Sequence, residues 1–274
     1  MTTPEYYSLE RSITYPSHDV PVLRWWENVY DHVFVVLHPF FRVPGYSPRS
    51  TSFGPRHIDL PSTEAAVKLA LEAKSRPNAA PDDFDATIKK HGHQVSWANV
   101  NAIVGAHPFP QFSLATWMAT VEFRRDDSDE ELIRRILEFA DQTDLYLPEE
   151  DQFPAICEPA LGEMFKELEI SNLIVDDEFD QCPTSVAAEV LLSAELSIRD
   201  KFKGKLSKIY NEEKSVLVIT DFDDISSLIA IKDRHLEAAR LPSRFEGFFA
   251  TSDMFCDWIN SRSLFKRKRL QPPN

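Results

Sequence analysis

The sequence predicts an α+β protein, in which a mainly helical N-terminal half precedes a small antiparallel sheet with its helices on one side. Amphipathic helical patterns dominate residues 1–147. Three short apolar runs then follow one another between residues 205 and 231, and the gaps between them are too short for parallel crossovers. The net charge also changes after Leu147. We therefore expect regions 1–147 and 148–274, which form two domains or one continuous domain.

The central strand of this prediction is Val216 to Thr220. Its five apolar or β-branched residues fit a short strand that is buried on both faces. Residues 205–210 alternate apolar and polar side chains, and a polar gap at 211–214 joins them to the central strand, which predicts a hairpin. Another apolar run follows at 226–231, before a helical pattern that begins at Asp233. The sequence thus predicts an antiparallel meander followed by a helix.

Two aspartates at the end of this strand, Asp221 and Asp223, allow a second interpretation. A strand followed by D-x-D is similar to the motif of haloacid-dehalogenase-type phosphohydrolases, in which the first aspartate attacks phosphorus and the second exchanges a proton with the leaving group beside a magnesium ion. That motif needs a central parallel strand and a long α/β domain after it, whereas here a tight hairpin precedes it. The favoured interpretation is an Asx-rich turn.

Helical patterns account for most of the N-terminal region. They cover residues 21–33, 62–74, 81–92, 96–104 and 128–140, and a further helix is expected at 185–202. Ser128 and Glu131 form the pattern of a capping box. The pair of helices at 81–104 resembles a DNA-binding arrangement, but its second helix has no basic residue to meet phosphates. We expect no nucleic-acid partner.

A proline-rich loop at residues 39–61 carries the basic patch of this half. It contains five prolines and two glycines, and its cationic side chains alternate with aromatic ones. The candidate anion-binding or ligand-binding residues are Arg42, Arg49, Arg56 and His57. The alternative is a surface loop whose arginines pair with the protein's own acidic residues.

Acidic residues are concentrated between residues 149 and 180, where eleven acids accompany one base. The candidate docking face consists of Glu163, Glu167, Asp176, Asp177, Glu178 and Asp180. A surface of one sign accelerates the encounter with an oppositely charged partner and selects partners by charge. Solubility alone would explain the same composition.

Composition and missing motifs exclude several classes. The chain is 43% hydrophobic, which suits a packed core, and its start lacks a secretory signal, so we expect a soluble cytoplasmic protein with no membrane partner. The three cysteines are widely spaced and form no C-x-x-C pair, so reduced thiols are expected. No dinucleotide, P-loop, nucleophile-elbow or zinc-protease motif occurs. We therefore predict no cofactor and no metal.

The C-terminal third resembles a bacterial protein family of unknown function. The resemblance rests on V-L-V-I-T-D-F-D at residues 216–223, E-G-F-F at 246–249 and Trp258. It implies a bacterial cytoplasmic origin and an α+β fold, and it assigns no catalytic residue.

These observations favour a non-enzymatic binding or regulatory protein, similar to immunity proteins, whose acidic surface docks a basic protein. The alternative is a metal-dependent phosphohydrolase that uses Asp221 and Asp223. A weaker third possibility is a ligand site on the basic loop.

Overall fold

A computed structural model describes residues 11–51, 64, 67–68, 80–126, 128–180, 183–202 and 205–259. A seven-stranded antiparallel sheet in the order β5-β4-β6-β7-β8-β1-β9 forms its centre. The strands are β1 His32–Leu37, β4 Asn172–Asp176, β5 Thr184–Ala187, β6 Lys208–Tyr210, β7 Val216–Ile219, β8 Ser226–Ile231 and β9 Gly247–Phe249. A separate two-stranded sheet pairs β2, Phe40–Arg42, with β3, His93–Val95.

The predicted meander is confirmed. Val218 of β7 lies opposite Ile209 of β6 on one side and Ile229 of β8 on the other, and both pairings are antiparallel. The Asn211 side-chain oxygen closes the first turn, since it accepts hydrogen bonds from the backbone N–H groups of Ser215 at 2.9 Å and of Val216 at 3.0 Å.

The predicted order of a helical half followed by a sheet is wrong, because β1 belongs to the sheet. Only Val22–Trp25, helix α1, is helical in the segment predicted as a helix from residue 21 to 33. The run from Val33 to Leu37 is buried on both faces. A continuous apolar run of this kind has no period that distinguishes strand from helix. Because β1 pairs with β8 and β9, the sheet contains residues from both sides of the boundary predicted at residue 147.

Strand β9 approaches β1 closely at one point. A Cβ atom at Gly247 would lie 1.9 Å from the carbonyl oxygen of Val35. The glycine of the E-G-F-F sequence is therefore required by this contact, because any side chain would push the two strands apart.

Helices cover both faces of the sheet, so the prediction of helices on one side is wrong. The helices are α2 Phe84–His91, α3 Trp97–Val104, α4 Phe109–Thr120, α5 Glu130–Gln142, α6 Glu158–Glu167, α7 Asp233–Ala239 and α8 Leu241–Arg244. One face of the sheet, with Val216 and Val218, packs against α2, α6 and α7, and the other, with Leu217 and Ala230, packs against α3, α4 and α5. Because β7 and β8 are buried on both faces, each face needs its own cover.

Two local predictions also need correction. The segment 185–202 forms the edge strand β5 and two short 3-10 turns, Ala188–Leu192 and Ile198–Lys201, in place of a helix. Helix α5 begins after Asp129, whose carboxylate accepts a hydrogen bond from the N–H group of Leu132, rather than after Ser128. The helix predicted at 62–74 lies mostly outside the described residues.

Candidate functional site

The turn between β7 and β8 forms one wall of a pocket of about 370 Å³. We call this cavity the acidic pocket, and it is lined by His18, Trp117, Asp221, Phe222, Asp223, Asp224, Cys256, Asp257, Trp258 and Ile259. These residues come from four separate parts of the chain. Among the lining residues, the sequence predicts only Asp221 and Asp223 as candidates, and His18, Trp117 and residues 256–259 become their neighbours only on folding.

Hydrogen bonds hold the turn in place. Asp223 has a left-handed backbone with φ of 58°, and its N–H group donates to the Asp151 carboxylate at 2.6 Å. Its carbonyl oxygen accepts a 2.7 Å hydrogen bond from the indole N–H of Trp117. The N–H group of Asp151 donates in turn to the carbonyl of Asp224 at 3.0 Å. Helix α4 and the loop before α6 are therefore both joined to the turn.

Trp258 also lines the pocket, and its side chain is held by three neighbouring residues. Its indole N–H donates to the Ser226 hydroxyl at 3.1 Å. Its ring lies parallel to that of Phe109, with centroids 6.1 Å apart, and meets Phe248 edge to face at 5.2 Å. A ring with these contacts is ordered without a ligand, which lowers the entropic cost of binding against it.

The N-terminal segment completes the pocket. The Tyr15 hydroxyl donates to the Asp224 carboxylate at 2.6 Å, and the Cys256 thiol donates to the carbonyl of Pro16 at 3.3 Å. His18 lies between two lining residues, with Nδ1 3.5 Å from Cys256 Sγ and Nε2 4.0 Å from an Asp221 carboxylate oxygen.

Burial, together with neighbouring carboxylates, raises the pKa of two pocket aspartates, Asp223 and Asp224. Burial raises the pKa of Asp224 to about 7, and the nearby charges of Asp221, Asp257 and Asp223 act in the same direction, while the hydrogen bond from Tyr15 opposes them. Burial and then the charge of Asp151 raise the pKa of Asp223. Ionisation of Asp223 and Asp224 is thus less favourable in the pocket than in water.

Three further acids, Glu122, Glu150 and Asp151, form what we call the acidic rim. The pKa of Glu150 is raised to about 7, first by burial and then by the charges of Asp151, Asp223 and Glu122, against the opposing charge of Lys205. One buried oxygen of Glu150 has no hydrogen-bond partner in the described part of the chain. Lys205 pairs with Asp151 and lies 4.8 Å above the centre of the Phe222 ring.

The surroundings of Asp221 and Asp223 differ from those of the phosphohydrolase motif. Strand β7, which precedes them, has antiparallel neighbours on both sides, whereas the motif follows a central parallel strand. Within the described residues, no group of three or more His, Cys, Asp or Glu side chains is arranged to hold a metal ion. No observation therefore supports the phosphohydrolase alternative.

The basic loop is only partly described. The Arg42 guanidinium donates from Nε to the carbonyl of Thr143 at 2.9 Å, and Arg49 pairs with the carboxylate of Asp141. Pairing of Arg49 with one of the protein's own acids agrees with the alternative interpretation of this loop. Arg56 and His57 lie outside the described residues.

The residues of the predicted acidic face lie in two places, on α6 and around the end of β4. On α6, Glu163 lies 3.7 Å from Lys166, and Glu167 pairs with Arg244 at 2.7 Å and with Arg240 at 3.5 Å. These carboxylates are partly neutralised by nearby bases.

Asp176, at the end of β4, does not belong to an exposed face, since it is 1% exposed. It lies inside because β4 continues the buried sheet. One oxygen of Asp177 accepts the N–H group of Phe179 at 2.9 Å, and Glu178 is exposed. Asp180 pairs with Lys208 at 2.5 Å. The sequence could count these charges but could not show which of them face solvent.

A second polar cluster lies wholly inside the protein. Lys89 donates to the Glu158 carboxylate at 2.8 Å, and to the carbonyls of Val190 and Leu196 at 2.8 Å and 2.9 Å. The side chains of Lys89 and Glu158 are 1% and 0% exposed. No signal in the sequence pairs them, because they lie on different helices, α2 and α6. Their contacts tie these helices to the 3-10 turns after β5.

The fold and the pocket define an α+β protein with an antiparallel sheet, helices on both faces and an acidic, aromatic cavity at one end of the central strands. Residues 18–260 match a family described as "Protein of unknown function (DUF2711)", and the chain belongs to this family. The match covers most of the chain, so the limitation of the predicted resemblance to the C-terminal third is wrong. Comparisons with curated proteins and with solved structures give no match. None of the described helices has both the length and the apolar character needed to cross a membrane.

Proposed function

We propose that this protein is a non-enzymatic binding protein that docks a basic protein at the acidic pocket and the acidic rim. The observation that carries the proposal is the gathering of four aspartates, Asp221, Asp223, Asp224 and Asp257, in one pocket, where neighbouring carboxylates add to the effect of burial in raising the pKa of Asp224. Repulsion between like charges opposes folding, and a cationic partner would relieve it. The excess charge therefore matches a ligand of opposite sign.

Exposed aromatic rings beside the acids favour a protein as the partner. Phe222 in the turn is 62% exposed, and Phe123, just after α4, is 48% exposed. The ring of Phe123 meets Trp117 of the pocket at 5.9 Å. Protein interfaces commonly combine a few aromatic anchors with a charged periphery, and the charges then guide encounter and orientation.

The acidic face proposed from the sequence remains a competing location. Glu163 and Glu178 belong to it, and the double variant that neutralises them removes two carboxyl groups, as the double variant of Glu150 and Asp223 does. A comparison of these two double variants therefore separates a local site from a general attraction of an acidic chain, whose formal net charge is −14, for any cation.

The test uses a fluorescent peptide of arginine, leucine and glycine, with fluorescence anisotropy recorded at low and at physiological salt. We expect salt-dependent binding that weakens about tenfold, or about 1.4 kcal/mol, in Glu150→Gln/Asp223→Asn. Glu163→Gln/Glu178→Gln should bind within about twofold of the unmodified protein. Equal weakening in both double variants, or binding that ignores salt, would overturn the proposal.

A further inference from the structure

We propose that the acidic pocket receives a single arginine side chain of the basic partner, with the guanidinium group between the aspartates and the indole rings of Trp117 and Trp258. This inference rests on the proposed function and specifies the group that the pocket recognises.

The size of the pocket suits one side chain. Its volume of about 370 Å³ is at the lower end of the range of about 300–1,000 Å³ that is typical of small-molecule sites. The exposed Phe222 lies in the same turn as three of the lining aspartates. A partner that covers Phe222 would thus bring its neighbouring side chain to the pocket.

The two indole rings favour a planar cation. The N–H groups of Trp117 and Trp258 already donate to the Asp223 carbonyl and the Ser226 hydroxyl. The rings therefore contribute their π systems to a ligand and no free hydrogen-bond donor. Cations are attracted to such rings, and a guanidinium group also stacks on them, which a lysine ammonium group cannot do.

The carboxylates favour a group with several donors. Asp221, Asp224 and Asp257 line the pocket, and the negative charges of Asp221 and Asp257 both act on Asp224. A guanidinium group presents five N–H donors in a rigid plane and can engage carboxylates in pairs, whereas an ammonium group presents three donors at one point. The pocket therefore distinguishes arginine from lysine by the geometry of the donors, since the two side chains carry the same charge.

Binding explains this site better than covalent chemistry at Cys256. His18 lies near the thiol, as a catalytic base would, but the thiol is directed at the Pro16 carbonyl. Burial and the charge of Asp257 raise the pKa of Cys256 to about 12. The thiol therefore stays protonated at neutral pH and is a poor nucleophile.

The test titrates Nα-acetyl-arginine amide into the full chain and follows the indole N–H signals by NMR. We expect shifts of the Trp117 and Trp258 signals and millimolar binding. Nα-acetyl-lysine amide should bind at least tenfold more weakly, and the uncharged citrulline analogue should produce no shift. Asp257→Asn should weaken arginine binding about tenfold, whereas Glu163→Gln should leave it unchanged. Thermal melting of each variant shows that it is folded.

Three results would overturn the inference: citrulline binding as tightly as arginine, lysine binding equally well, or indole signals that do not move. If the arginine compound fails and the basic peptide still binds through Glu150 and Asp223, this inference is wrong and the proposed function stands. If the arginine compound binds and the peptide does not, the pocket recognises a free small cation, and both the docking function and the role of a partner's side chain are wrong.

Discussion

Replacing Asp224 with asparagine should stabilise the protein, and the gain should grow with pH. The folded-state pKa of about 7 lies above the ordinary value of 3.8. The carboxyl therefore contributes most to stability when it is protonated, and that contribution is lost as the pH rises from about 4 through 7. Asparagine stays neutral throughout, and its side-chain oxygen can still accept the hydrogen bond from Tyr15.

The shift in pKa sets the size of this effect. Each pKa unit corresponds to about 1.4 kcal/mol, so a rise from 3.8 to about 7 gives roughly 4 kcal/mol as an upper limit above pH 7. Asp224 retains some contact with solvent, and the charged hydrogen bond from Tyr15 becomes a weaker neutral one. We therefore expect Asp224→Asn to raise the free energy of unfolding by about 1–3 kcal/mol at pH 8.

Urea denaturation of both proteins between pH 5 and pH 8 measures this gain. The difference between them removes the contribution of titrating groups distant from Asp224, which is the same in both proteins. One such group is His38, whose burial lowers its pKa to about 3, so stability is lost as the pH falls below about 6.5. The exposed control Glu163→Gln should stay within about 0.5 kcal/mol of the unmodified protein. A difference that is constant with pH, or an Asp224→Asn protein that is less stable at pH 8, would refute this account of the pocket.

Three other predictions concern the scaffold. Lys89→Met should lower the free energy of unfolding, measured by urea denaturation, by about 3–5 kcal/mol, because the buried Glu158 carboxylate loses its cation. The control Lys90→Met, at an exposed ion pair, should lower it by about 0–1 kcal/mol. Similar losses in the two variants would contradict the interior role of Lys89. In a Cys182→Ser background, Cys256 should react with a thiol reagent only after unfolding, since it is 2% exposed, and fast labelling of the folded protein would count against its burial. Asn211→Ala should lower the free energy of unfolding by about 2–3 kcal/mol because two turn N–H groups lose their acceptor, and an unchanged midpoint would disprove that role.

The elements predicted correctly depend on neighbours in the sequence. The hairpin from β6 to β7 and the following strand β8 could be predicted because short polar gaps separate apolar runs. Strand β1 could not, because its apolar run matches a buried helix equally well until its partners β8 and β9 are known. Helices on both faces follow from the two-sided burial of these strands.

The candidate site was less predictable than the fold. The acids of 221–224 form a local motif, and the tight hairpin before them favours a turn over a catalytic site. Their actual neighbours, His18, Trp117 and Trp258, lie far away in the chain. The acidic face was predicted by counting charges, but charge counts cannot show that Asp176 is buried or that Glu167 meets Arg244.

The central claim is that a basic partner docks at the acidic pocket and rim, and an NMR map of the bound basic peptide tests it most directly. We predict that the shifted backbone signals centre on residues 221–224 and 256–259, together with the indole N–H signals of Trp117 and Trp258. Shifts centred on α6 and the segment after β4, with the pocket signals unmoved, would contradict the claim. They would place the docking surface on the acidic face predicted from the sequence.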